Sequence, residues 1–251
     1  MDQPREKANG VPTAPAMAHR TRWAQRLVVV FLALAVAALA FFNSEYYTPS
    51  VVRAVMREDI PALERAISAG GDINRRVRIF GAENLSGRSA LMWASARTNL
   101  PAIRRLLAAG ARTDIRDHVG RCAIHLLWDQ GLKDDRIQCL EALLDAGANV
   151  NEVDHGGRTP LHVAVGWGDA EAVKELIARS ADIDRTDWQG CTAIVDAVIY
   201  GRDPDVVRQL IAAGADVKNR LPNGRRIIEV IDELNVDESI KAMIRAADTT
   251  Q

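Results

Sequence analysis

Four of the five histidines of this chain fall in paired settings. His118 and His155 each follow an aspartate, as Asp117-His118 and Asp154-His155, and Trp188 takes the same place after Asp187. His125 and His162 each close a Gly-Arg-x-x-x-His run. Imidazole beside carboxylate is the raw material of metal sites and of general acid–base chemistry. The three cysteines, Cys122, Cys139 and Cys191, add a thiol to the inventory. The remaining chemistry is sparse. The chain has no Ser-His-Asp order, paired-acid motif, phosphate loop or metal signature, and no Cys–His pairing suggests a nucleophile. Gly166-Trp167-Gly168-Asp169 reads as a helix–helix turn, because no strand precedes it as a nucleotide loop requires. Whether the histidines and cysteines can meet depends on the elements that carry them.

Those elements repeat. Gly87-Arg88-Ser89-Ala90-Leu91-Met92 returns as Gly120-Arg121-Cys122-Ala123-Ile124-His125 and as Gly157-Arg158-Thr159-Pro160-Leu161-His162. It returns again as Gly190-Cys191-Thr192-Ala193-Ile194-Val195 and fades in Gly224-Arg225-Arg226-Ile227-Ile228. The leading glycines are 33, 37, 33 and 34 residues apart. A second echo keeps the same phase through Gly70-Gly71-Asp72, Gly110-Ala111-Arg112, Gly147-Ala148-Asn149, Ser180-Ala181-Asp182 and Gly214-Ala215-Asp216. A period near 33 signals a solenoid of supersecondary units, none of which buries its apolar face alone. Within a unit, Gly157 suits a turn at positive φ, Thr159 is an N-cap and Pro160 fits the first helical position. Leu161, Ala164 and Val165 then share one helical face, and Ala172–Ile177 forms a second amphipathic run. Six units result, at about 50–74, 84–114, 115–151, 152–184, 185–218 and 219–247 of a domain spanning 45–251. Extra residues fall in the basic stretch 75–83 and in 129–135, between the two helices of the third unit.

This pattern resembles the ankyrin repeat, most closely at Asp154–Ala164, and the resemblance covers roughly 50–247. It implies an all-α solenoid of stacked helix-turn-helix units with β-hairpin-like tips, here preceded by one N-terminal apolar helix. It also implies a non-catalytic protein-binding surface without a cofactor. His125 and His162 occupy the family's histidine slot, where a structural hydrogen bond tying one turn to the next is expected. Packed helices lie about 10 Å apart, whereas zinc ligands lie near 2 Å from one ion, so His118 and His155 cannot share a metal unaided. No disulfide is expected either. Cys122 and Cys139 start antiparallel helices at opposite ends of a hairpin, and Cys191 lies two units from Cys122, beyond the roughly 7 Å a bridge spans.

In this family partners meet the tips and the exposed end of each first helix. Carried over by position, the tip set is Arg88, His118, Arg121, His155, Arg158 and Trp188. The first-helix set is Arg97, Gln130, Trp167 and Tyr200. The two sets offer aromatic anchors flanked by cationic donors, suited to a partner that presents apolar side chains among carboxylates.

The first 44 residues differ in kind. Residues 1–26 carry scattered prolines and charge without an apolar period and read as a disordered basic tail. Residues 27–44 are uncharged, with Leu27–Phe42 wholly apolar, about long enough for a bilayer core. Trp23 lies on one flank and Tyr46-Tyr47 on the other, as interfacial aromatics do. Arg20, Arg22 and Arg26 precede the span closely, and the next basic residue is Arg53. By the positive-inside rule the N-terminus is cytoplasmic and the repeats periplasmic, on a single-pass inner-membrane protein. Ala38-Leu39-Ala40 keeps a second reading open, a signal peptide cleaved near Ala40 that leaves a soluble periplasmic or secreted domain.

Composition agrees with a sizeable core, at 48% hydrophobic and 5% aromatic, and the net charge of −1 argues against nucleic acid as a partner. Arginine supplies nearly all the basic residues, 27 against 5 lysines, as GC-rich bacterial genomes favour. The sequence thus points to a monomeric bacterial envelope adaptor, or alternatively to a protective or inhibitory factor that neutralises one enzyme or toxin.

Overall fold

Thr159 and Pro160 start a helix where the sequence places them. Thr159 has extended backbone, its hydroxyl accepts from the His162 N–H at 3.4 Å, and the helix runs Pro160–Trp167. Gly168 ends it at φ 70°, and Asp169 caps the next helix, Ala170–Ala178, by accepting from the Ala172 N–H at 3.2 Å. The two helices therefore turn back on each other within two residues.

The structure, a computed structural model, describes residues 50–77, 87–131, 134–200, 203–219, 221, 223–234 and 236–250. The apolar segment 27–44, its flanks Arg20, Arg22, Trp23, Arg26, Tyr46 and Tyr47, and most of the basic stretch 75–83 lie outside the described residues. Among the described residues no helix is long and apolar enough to cross a membrane.

Successive units contribute α1 (Ser50–Met56) with α2 (Ile60–Ser68), α3 (Ala90–Ala96) with α4 (Leu100–Ala108), and a 3-10 turn η1 (Ala123–Trp128) with α5 (Arg136–Asp145). They continue with α6 (Pro160–Trp167) and α7 (Ala170–Ala178), α8 (Ala193–Ile199) and α9 (Pro204–Ala212), and α10 (Ile227–Val230) and α11 (Glu238–Thr250). First elements stack on first elements from α1 through α3, η1 and α6 to α8. Second helices stack on second helices from α2 to α11. Leu91, Ile124, Leu161 and Ile194 fill the first layer, and Leu106, Leu140, Leu176 and Leu210 the second, all fully buried. Small residues between them, Ala94, Ala164 and Ala197, let the helices close up.

Two expectations need correction. The tips are not β-hairpins. Among the described residues no strand forms, and the bridge from Val77 to Arg88 is isolated. Instead the tips at Asp117, Asp154 and Asp187 are tight turns closed by the same two bonds, as when Asp154 N–H donates to Arg158 O at 3.1 Å and Gly157 N–H to Asp154 O at 3.0 Å. The third unit does not open with an α-helix. Its six residues Ala123–Trp128 are all buried and wind as a 3-10 turn. Trp128 is the distinguishing residue. Its indole N–H donates to Asp169 Oδ2 at 2.8 Å, where Arg136 also pairs, so the longer turn after η1 is pinned to the cap of α7 in the next unit.

Adjacent tips are laddered. His155 N–H donates to Val119 O, and Trp188 N–H to Gly156 O, both at 2.9 Å. A Cβ on Gly157 would come within 2.7 Å of the Trp188 ring, so the glycine there serves close approach as well as a φ of 74°. At the end of α7, where α5 is followed by Gly147 at φ 85°, the chain uses Ser180 at φ 63°.

Candidate functional site

The recurrent phase of the units makes their differences readable. Trp93, Leu126, Val163 and Asp196 hold one equivalent position, on the inner side of the first element. One turn later come Arg97, Gln130, Trp167 and Tyr200. The tip aspartates Asp117, Asp154 and Asp187 are followed four residues on by Arg121, Arg158 and Cys191.

In the second unit these positions are internally satisfied. Arg88 is only 2% exposed, pairs with Asp129 at 2.6 Å, and lies 5.3 Å from the centre of the Trp93 ring. It is therefore not an exposed tip residue, because the bridge to Val77 turns it inward. Arg97 stacks on the other contact of the same ring, at 5.1 Å. Arg121 pairs with Asp117 at 2.9 Å and with Asp129 at 3.1 Å, and is only partly exposed. The cationic donors expected for an acidic partner are thus engaged within the fold. His118, Gln130, His155 and Arg158 are exposed. His155 and Trp188 also serve the tip ladder, and Trp188 remains 79% exposed.

The fourth and fifth units meet at a cavity of about 250 Å³. Arg158, Trp167, Asp187, Gln189, Asp196 and Tyr200 line it, with His162, Val163 and Gly166. Trp167, the last residue of α6, is 47% exposed, and Tyr200, the cap of α8, is 60% exposed. Such a volume falls short of cofactor pockets and suits a single side chain. A wider opening of about 540 Å³ lies over the turns of the second and third units, beside Glu58, Arg97 and Thr98. It lacks exposed aromatic rings among its lining, and Arg97 already faces Glu58 there at 3.9 Å.

Asp196 was not anticipated as a site residue. It replaces an apolar residue at its position and is only 9% exposed. Burial, and then the neighbouring Asp187, push its carboxyl up to about 6, against a smaller pull from Arg158. The sequence signal was available: a carboxylate at a position held by Trp93, Leu126 and Val163. Asp187 uses Oδ1 to accept from Gln189 N–H at 2.8 Å and Cys191 N–H at 2.9 Å. Asp117 and Asp154 do the same with Oδ1 and face their own arginine with Oδ2, at 2.9 Å for Arg121 and 3.6 Å for Arg158. Cys191 deprives Asp187 of that partner.

His125, His162 and the three cysteines are structural. His162 Nδ1 lies 2.8 Å from Thr159 Oγ1, and its Nε2 lies 3.2 Å from Cys191 O in the next unit. His125 repeats this, with Nε2 3.2 Å from Arg158 O and Nδ1 3.2 Å from Cys122 Sγ. The sequence did not suggest this Cys–His contact, but it is no nucleophile. Burial pushes the thiol up to about 11 and the imidazole down to about 4, opposite to a thiolate–imidazolium pair. Burial lowers His162 as well. The Cys139 and Cys191 thiols are pushed up to about 12 and about 11, and all three cysteines are buried and unbridged. Among the described residues no group of acids, histidines and cysteines could hold a metal.

No curated protein sequence matches the chain. A crystal structure of an ankyrin repeat domain from Acinetobacter baumannii AYE superposes with a TM-score of 0.68 at 24% identity, covering 79% of this chain and 97% of that one. The family description "Ankyrin repeats (3 copies)" matches residues 51–154 and 132–220. With two histidine-tied turns and stacked helix pairs along that stretch, the chain belongs to the ankyrin-repeat family.

Proposed function

We propose that this chain is a non-catalytic adaptor that binds another protein through the inner edge of its fourth and fifth units. It acts on the extracytoplasmic side of the inner membrane, tethered by residues 27–44. The observation that carries the binding surface is the pair Trp167 and Tyr200. Both rings stand well out of the fold at equivalent positions of neighbouring units, on either side of a cavity. Folded chains do not ordinarily leave large rings so placed without use, and aromatic side chains dominate interface hot spots.

The test is a Trp167→Ala, Tyr200→Ala double variant. It should keep the parent's circular dichroism and melting temperature yet lose its envelope partner in a pull-down, since truncating a buried aromatic anchor often costs about 2 kcal/mol or more of affinity. If the variant melts early and partner loss tracks unfolding, the rings are packing residues and the surface is elsewhere.

A further inference from the structure

We infer that the cavity between the fourth and fifth units receives a cationic side chain, arginine or lysine, from a partner protein, with Asp196 and Asp187 as its carboxylate seat and Trp167 and Tyr200 as its aromatic walls. The inference rests on the binding surface proposed above and gives it a chemistry.

Three independent observations converge on it. First, a cation is missing. The third and fourth units put an arginine four residues after the tip aspartate, and the fifth puts Cys191 there. Asp187 therefore lines the cavity without an arginine at the position that pairs with Asp117 and Asp154 in their units. Second, an acid has been added at the same place. Asp196 is more than nine-tenths buried and lines the cavity. A desolvated carboxylate held beside a second one is destabilised in its charged form, and an entering cation relieves both terms at once. The raised titration of Asp196 is the expected signature of that unrelieved state. Third, the walls are of the right kind. A guanidinium or ammonium against an aromatic face is attracted by the ring quadrupole. The molecule already does this in its second unit, where Arg88 and Arg97 lie 5.3 and 5.1 Å from the Trp93 ring. There the ring occupies the inner position and the arginine the next turn. At the cavity the acid occupies the inner position and the rings the next turn, so the cation has to come from outside.

Among the described residues lining this cavity, Arg158 is the one arginine or lysine. It is half exposed and faces Asp154 at 3.6 Å, which leaves the two seat carboxylates in excess. Burial lowers His162 in the same lining, which disfavours its cationic form. The cavity as a whole therefore complements positive charge, the reverse of the acidic partner that the row of arginines first suggested.

The experiment titrates the full chain, carrying labelled tryptophan, with N-acetyl-arginine amide, N-acetyl-lysine amide and the neutral isostere N-acetyl-citrulline amide, and follows the Trp167 indole resonance. A saturable shift with either cation, at least about tenfold weaker with citrulline, is expected, because the neutral head group loses the charge-assisted bonds. Asp196→Asn should abolish the difference between arginine and citrulline. Cys191→Arg, which rebuilds the pair seen at Asp117 and Asp154, should block the cationic probes while leaving the far-ultraviolet dichroism unchanged. Should Cys191→Arg fail to fold, Asp196→Asn alone decides. Equal binding of citrulline, no binding of either cation, or an Asp196→Asn variant that still discriminates would overturn the inference. If the probes fail while the double aromatic variant still loses its partner, the binding surface stands and only its chemistry is wrong.

Discussion

Asp196 gives the domain a pH dependence at the scale of one residue. Its carboxyl titrates near 6 in the folded chain and near 3.8 when free, so the folded state holds the proton more tightly. Stability from this group is present below about pH 4 and is lost as pH rises toward 6, since the unfolded chain releases its proton first. Asp196→Asn should therefore be the more stable protein at pH 7, by about 1 kcal/mol once the shift is discounted for solvent screening, with the gap closing near pH 4. Urea midpoints at the two pH values test this, and an equal gap at both would sink it. The buried His125 and His162 act in the opposite sense, losing stability as pH falls below their free value, but they are common to both proteins and cancel in the difference. Much at this scale was legible in the sequence. The paired His125 and His162 follow from the motif's phase, and the exposure of Trp167, Trp188 and Tyr200 from their place outside the apolar face. Arg88 was not legible, because its inward turn depends on a bridge to Val77 from an irregular stretch. Asp196 was missed because a motif read for what recurs does not weigh what replaces it.

At the scale of the element, the helix pairs and their starts were readable from Thr159-Pro160 and its echoes, since capping and proline placement are local effects. The 3-10 winding of Ala123–Trp128 was not, for it accompanies an indole contact to Asp169 some 41 residues away. Burial separates what each element needs from what it merely carries. Leu161 is fully buried in α6, so Leu161→Ala should cost about 2–5 kcal/mol through lost burial and a residual cavity. Trp188→Ala should stay within about 0.5 kcal/mol, because the ladder bond at that tip is made by its backbone N–H and the ring is largely in solvent. Chemical denaturation of the two variants checks this. If the tryptophan variant loses as much as the leucine one, the ring is part of the packing and the tip is not a free surface.

For the whole molecule, the 37-residue spacing of the third unit resolves into the longer turn after η1, while the tips on either side of it stay joined through the His155 and Trp188 N–H groups. Because Arg20, Arg22 and Arg26 flank the apolar segment on one side only, an alkaline phosphatase fused after Gln251 should be active, and an inactive fusion would reverse the proposed topology. The three cysteines give the solenoid a property of a different sort. Each is sealed in the packing, and a thiol that ionises near pH 11 or 12 is almost wholly unreactive at neutral pH. Cys122 and Cys139 mark the third unit and Cys191 the fifth, so the chain carries its own gauges of where the array comes apart. In a stack whose units touch only their neighbours, opening can begin at an end and spread. Loss of the last two units would uncover Cys191 to an alkylating reagent while Cys122 and Cys139 stayed dark, whereas a single all-or-none opening would uncover the three together. Timed labelling read by mass spectrometry would tell a fraying array from a cooperative block, without altering a single residue.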